Sequence, residues 1–180
     1  MPDMDVRHYT LGVVDKFAEA RFFLQKVEGA ADFVECCYFT SAFGSACYSV
    51  IECLKRTSRA TQETRHWWSL RLKDLKTSPV HRYFHEGRNV DIHEGFGLVE
   101  GINLELKERN GELIAHEKWL LIERPSHSVG SPAQECRDYF ESLLRIALDG
   151  YRRFAAVWDP DAQLAQSFGK LEREELRPTH

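Results

Sequence analysis

The strongest constraint in this sequence is a run toward its C-terminal end, where Cys136, Tyr139, Phe140, Leu143, Leu144, Ala147, Tyr151, Phe154, Ala155 and Trp158 recur at spacings of three and four. Side chains at that spacing share one face of an α-helix, so the segment demands a long amphipathic helix whose apolar stripe other elements must cover. Ser131-Pro132-Ala133-Gln134 predicts its start, as a capping box with proline in the first turn, and Asp159-Pro160 predicts its end.

The covering elements are legible upstream. Val14 to about Val27 carries Phe17, Phe22, Phe23 and Leu24 with helical character until Gly29 interrupts it. From about Ala31 to Lys55 the chain is apolar on nearly every side, as for a helix at the centre of a bundle, and Ser41, Ala42, Gly44, Ser45 and Ala46 would let a neighbour approach closely. Thr61 to Lys76 predicts a further short helix containing Trp67 and Trp68. Ser78-Pro79 reads as an N-cap followed by proline at the first helical position, opening a helix to about Glu94, with Gly95 and Gly97 as its stop. The period then changes from helical to alternating: Leu98 to Leu106 alternates, Asn110-Gly111 is a hairpin turn, and Leu113 to Ile122 can return as the partner strand. The expected fold is mainly α, an antiparallel bundle of four to five helices with a β-hairpin inserted at about 98–123. It forms one domain over 1–180, with 161–180 as a loosely held tail.

Composition fits this reading: 180 residues, 43% hydrophobic and 29% charged, exclude collagen-like, mucin-like and disordered classes. The five cysteines are an odd set without CxxC spacing, so they read as reduced thiols serving as small core residues, and no metal or cofactor is expected. The first ten residues lack the pattern of a secretory signal, and runs such as Trp119 to Ile122 are far below the roughly 20 residues of a membrane helix. A cytoplasmic protein that does not engage membranes is expected.

The net charge of −4 argues against a nucleic-acid binder until its distribution is examined. Lys55 to His93 holds nine bases against four acids, or +5, which leaves −9 for the remainder. The same segment holds His66, His81, His85 and His93 together with Trp67 and Trp68. Bases interleaved with aromatics suit a phosphate backbone with nucleobases stacked beside it, which makes Lys73, Lys76, His81, Arg82 and His85 candidate RNA contacts.

On the helix opened by Ser78, Val80, Tyr83, Phe84, Gly87 and Glu94 share one side at 100° per residue, and His81, His85, Arg88, Asn89 and His93 lie on the other. His81 and His85 read as a surface pair four residues apart, since no third metal ligand accompanies them. Asn89 and His93 are neighbours at that same spacing, and Arg88 is long enough to reach toward His93. A guanidinium beside an imidazole is what phosphodiester cleavage needs: one stabilises charge on the transition state, the other moves protons near neutral pH. Asn89 could orient either the phosphate or the imidazole.

Arg88-Asn89-Val90-Asp91-Ile92-His93, entered through Pro79-Val80-His81-Arg82-Tyr83-Phe84, resembles the HEPN family, whose members carry Arg, four to six residues and then His on the third helix of a bundle. The resemblance spans roughly Val14 to Trp158 and implies metal-independent RNA cleavage. The ribose 2′-hydroxyl would attack the adjacent phosphate, with His93 as general acid or base. It also implies a homodimer in which two copies of Arg88, Asn89 and His93 face each other, a toxin or phage-defence role, and an antitoxin or regulatory protein as partner. A subgroup has Tyr two residues beyond the His as a target for modification; here that position is Gly95. Two other readings stand beside cleavage. One is a non-catalytic bundle of this kind that binds nucleotide, RNA or a protein. The other is a helical interaction protein in which Arg88 simply pairs with Asp91 or Glu94.

Overall fold

The computed structural model describes residues 6–94, 99–109, 112–121 and 130–176, with side chains described for 6–86, 99 and 130–176. In chain order the elements are α1 (Val6–Glu28), α2 (Phe33–Thr57), α3 (Gln62–Thr77), α4 (Pro79–Glu94), β1 (Val99–Arg109), β2 (Glu112–Leu121), α5 (Pro132–Trp158) and α6 (Ala165–Glu175). The protein is a mainly helical bundle. β1 and β2 pair antiparallel, from Val99 opposite Leu121 to Arg109 opposite Glu112, with a register irregularity between Glu100 and Ile102. Among the described residues no helix is long and apolar enough to cross a membrane.

α5 is the helix the stripe demands. Cys136, Tyr139, Phe140, Leu143, Leu144, Ala147, Leu148, Phe154 and Trp158 are buried along one face, against α1, α2, α3, α4 and α6. Its start differs from expectation, because the Ser131 side chain makes no cap hydrogen bond. The Gln134 amide donates instead to Asp138 Oδ1 at 2.7 Å, one turn further on, so Gln134 is not the partner that closes a capping box.

α1 begins well before Val14, because its buried stripe of Thr10, Val13, Phe17, Ala20, Leu24 and Val27 runs at alternating spacings of three and four. Phe22 falls off that stripe and is exposed. α2 is entered through Asp32, whose carboxylate accepts from Glu35 N–H at 2.9 Å while the Glu35 carboxylate accepts from Ala31 N–H at 3.0 Å. It packs against α1, α4, α5 and β1, although its first turns leave Val34 and Tyr38 exposed. α3 starts at a reciprocal cap in which Thr61 and Thr64 each bond the other's backbone N–H. All five cysteines are free, with Cys36, Cys47 and Cys136 buried as core residues.

The expected loose tail is corrected over 165–175, which forms α6 and buries Phe168, Leu171 and Glu175. Phe168 stacks on Tyr151 at 4.3 Å between ring centroids. Arg137 of α5 ties the end of α1 to the end of α6, bonding Glu28 at 2.6 Å and Glu175 at 3.1 Å. Asp159 closes the corner: its carboxylate accepts from Tyr151 Oη and from the backbone N–H groups of Gln163 and Leu164. The sequence reading missed α6 because its apolar positions are few and lie among many charges.

Near its C-terminal end α5 is held by an aromatic box. Trp67 of α3 meets Phe154 and Trp158 edge-on at 5.7 and 5.6 Å, and its indole donates to Asp149 at 2.9 Å. The backbone leaves helical geometry at Phe154 (φ −124°, ψ 21°) as the helix passes the box. Gly150 is required by it, because a Cβ there would lie 2.4 Å from the Trp158 ring and 2.6 Å from that of Trp67. Gly150→Ala, which would stabilise an exposed helix by about 1 kcal/mol, should here destabilise by about 2 kcal/mol or more through overpacking. Urea unfolding followed by far-ultraviolet circular dichroism checks this; a higher midpoint for the variant would contradict it.

Candidate functional site

α4 is held in the bundle through its first two turns. Tyr83 and Phe84 are buried, and Phe84 lies flat on Tyr139 of α5 at 4.9 Å and 3° while meeting Phe43 of α2 edge-on at 5.6 Å. His81 is buried as well, only 6% exposed, with Nδ1 2.9 Å from the Tyr139 hydroxyl. That corrects its assignment to a solvent face with His85. α4 packs against α2, α3 and α5 together, so the buried arc of the helix is wider than the side carrying Tyr83 and Phe84, and it takes in position 81. His81 is therefore a packed residue bonded to the core, whereas Arg82 and His85 are exposed.

Three rings run in a row from this point. His81 stacks on His85 at 5.7 Å and 18°, and His85 stacks on Tyr48 of α2 at 6.0 Å and 22°. They form one wall of a cleft of about 350 Å³ where α2, α3 and α4 meet. α2 contributes Tyr48, Ile51, Glu52 and Lys55, at spacings of three and four along one face. α3 contributes Trp68, Leu72 and Lys76 at intervals of four. α4 contributes Arg82 and Glu86 beside the histidines.

The cleft therefore has an apolar floor of Ile51, Trp68 and Leu72 under a charged rim. Lys55 is paired with Glu52 at 3.1 Å. Lys76 and Arg82 make no ion pair among the described residues, so two cations face the opening without a carboxylate partner there. The Trp68 indole N–H is buried and has no acceptor among the described residues. Of the residues expected to touch RNA, the fold brings Lys76, Arg82, His85 and His81 to this cleft, and Lys73 is exposed on α3 outside it. Tyr48, Lys55 and Trp68 were missed as site residues. The available signal was the stripe Tyr48, Ile51, Glu52 and Lys55, which reads as core until α4 is seen to leave one edge of it uncovered.

Arg88, Asn89 and His93 belong to α4, about two to three turns beyond His81, and their side chains lie outside the described residues. Asn110, Gly111 and Gly95 are likewise outside them. Among the described residues no group of three His, Cys, Asp or Glu could hold a metal ion. No protein-family model, curated protein or solved structure matches the chain.

Burial pushes the His81 imidazole down to about 4, with the charges of His85 and Lys76 acting in the same direction. Burial also holds the Tyr139 hydroxyl well above its ordinary value, so the pair is neutral across the physiological range. In the unfolded chain His81 binds a proton near pH 6.5 and in the folded chain only near pH 4, so its contribution to stability is present above pH 6.5 and is lost as pH falls. Between pH 6.5 and 5, before most carboxylates titrate, this should remove about 2 kcal/mol. Urea midpoints across that range should fall in the wild type and fall much less in His81→Phe; parallel curves for the two would show that His81 is not the group responsible.

Proposed function

We propose that the protein is a metal-independent endoribonuclease of HEPN-like type, with Arg88, Asn89 and His93 as its catalytic residues. The observation that supports this reading is positional: Arg88 to His93 lie in one uninterrupted helix, and that same helix supplies Arg82 and His85 to a basic, aromatic-walled cleft about one to two turns earlier. Phosphate-neutralising groups and a cleavage motif thus follow one another along a single rigid element. One departure bears on the reading. α4 is the fourth helix in chain order, where the resemblance implies the third, because α3 is interposed.

In this reaction the ribose 2′-hydroxyl attacks the adjacent phosphorus, the bond to the 5′-oxygen of the next nucleotide breaks, and a 2′,3′-cyclic phosphate remains. His93 accepts the hydroxyl proton or donates one to the leaving oxygen, Arg88 stabilises the charge on the phosphorane-like transition state, and Asn89 orients the phosphate. Pairing of two chains through α4 would bring two such sets to one cleft. The functional setting that follows is a toxin or phage-defence effector acting in the cytoplasm and restrained by an antitoxin or regulatory protein.

A second reading is supported by the cleft itself, whose cationic rim and aromatic wall suit RNA or a nucleotide without calling for cleavage. Purified chain incubated with single-stranded RNA in excess EDTA separates the two. Cleavage to 2′,3′-cyclic ends, reduced at least a hundredfold in His93→Ala and in Arg88→Ala, supports the nuclease. Binding with no cleavage, or equal cleavage by both variants, sinks it.

A further inference from the structure

We infer that the cleft between α2, α3 and α4 is a nucleotide subsite that seats one base on the Ile51, Trp68 and Leu72 floor and its phosphate between Lys76 and Arg82. The inference rests on the RNA reading above for its choice of a nucleotide among planar, phosphate-bearing molecules. The cleft's chemistry supplies the rest of the argument.

Its volume of about 350 Å³ falls within the roughly 300–1,000 Å³ of small-ligand sites. The floor is apolar and aromatic, which suits the face of a base, and it carries an unmet donor in the buried Trp68 indole N–H. Lys76 and Arg82, from different helices, stand at the rim with no ion pair among the described residues, as a phosphate dianion requires. Glu86 also lacks an ion pair there, which leaves a carboxylate to accept from the N–H edge of a base. The Tyr48, His85 and His81 row fixes the opposite wall, because His85 is held between two rings rather than free to swing into the space. A second feature connects the subsite to the motif. At 1.5 Å per residue Arg88 begins about 9 Å along the α4 axis from Arg82, close enough for one strand to occupy the cleft with one nucleotide and present a neighbouring phosphate to the motif.

Isothermal titration of the purified chain with AMP, GMP, inorganic phosphate and a ten-residue single-stranded oligoribonucleotide tests this. At least one of the two mononucleotides should bind, and more tightly than phosphate. The double variant Lys76→Gln/Arg82→Gln should weaken both mononucleotide and oligonucleotide binding tenfold or more. Lys26→Gln/Lys170→Gln removes the same charge from exposed positions on α1 and α6 and should leave binding unchanged. An oligonucleotide that binds much more tightly than the monomers assigns the site to an RNA strand, and equal affinities assign it to a free nucleotide. Phosphate binding as tight as AMP and GMP, no mononucleotide binding, or full affinity in the Lys76→Gln/Arg82→Gln protein overturns the subsite. Arg88→Ala and His93→Ala should retain mononucleotide binding. Cleft-dependent binding without cleavage would therefore sink the nuclease and leave the subsite standing, and cleavage with unaltered binding in the double variant would do the reverse.

Discussion

Everything near the candidate site depends on the flat contact between Phe84 and Tyr139. The two rings join α4 to the most extensively buried helix of the bundle, and the hydroxyl of the same tyrosine bonds His81 one turn earlier. Stacking, edge-on contact with Phe43 and a buried hydrogen bond thus converge on two turns of α4. A helix with few apolar side chains of its own gains a fixed position from them. With α4 fixed, three helices that each carry only part of the cleft's lining are brought around one space.

The charge pattern takes on a structural meaning from that arrangement. The +5 segment from Lys55 to His93 is the end of α2, all of α3 and most of α4, which are the elements that meet at the cleft. Repulsion among these bases is limited where acids pair with them, as Glu52 does with Lys55 and as Asp74 and Asp149 do with Arg71. Lys76 and Arg82 are left out of that pairing among the described residues. The site's electrostatic character therefore comes from which bases lack partners more than from how many bases there are.

Much of this was legible in the sequence, for identifiable reasons. The α5 stripe and the Ser78-Pro79 entry to α4 are local signals, and local hydrogen bonding and periodicity decide them. His81 was misread because a helical wheel does not say how many neighbours a helix will have, and contact with α2, α3 and α5 extends the buried arc of α4 to take in position 81. α6 was missed because Leu164, Phe168 and Leu171 gain their meaning only from the surface that Tyr151 and α5 present to them. The cleft was legible only in pieces: Tyr48 and Lys55, Trp68 and Lys76, Arg82 and Glu86 each sit at regular helical intervals, and nothing in one helix says which edge another will leave open. For Arg88, Asn89 and His93 the sequence supplied the motif and the fold its helix.

Asp159 shows how a single acid can govern the way a chain is divided. Its side chain is almost wholly enclosed, and all three donors that satisfy it lie within eight residues of it, two of them on the connection into α6. Severing the backbone just after this residue would leave an anion facing hydrocarbon with one phenol for company, and the surface where Phe168 sits would be laid bare. The last helix is thus not an appendage to a finished bundle: by supplying the amides that let a carboxylate be hidden, the corner makes the far end of α5 and the start of α6 a single cooperative unit.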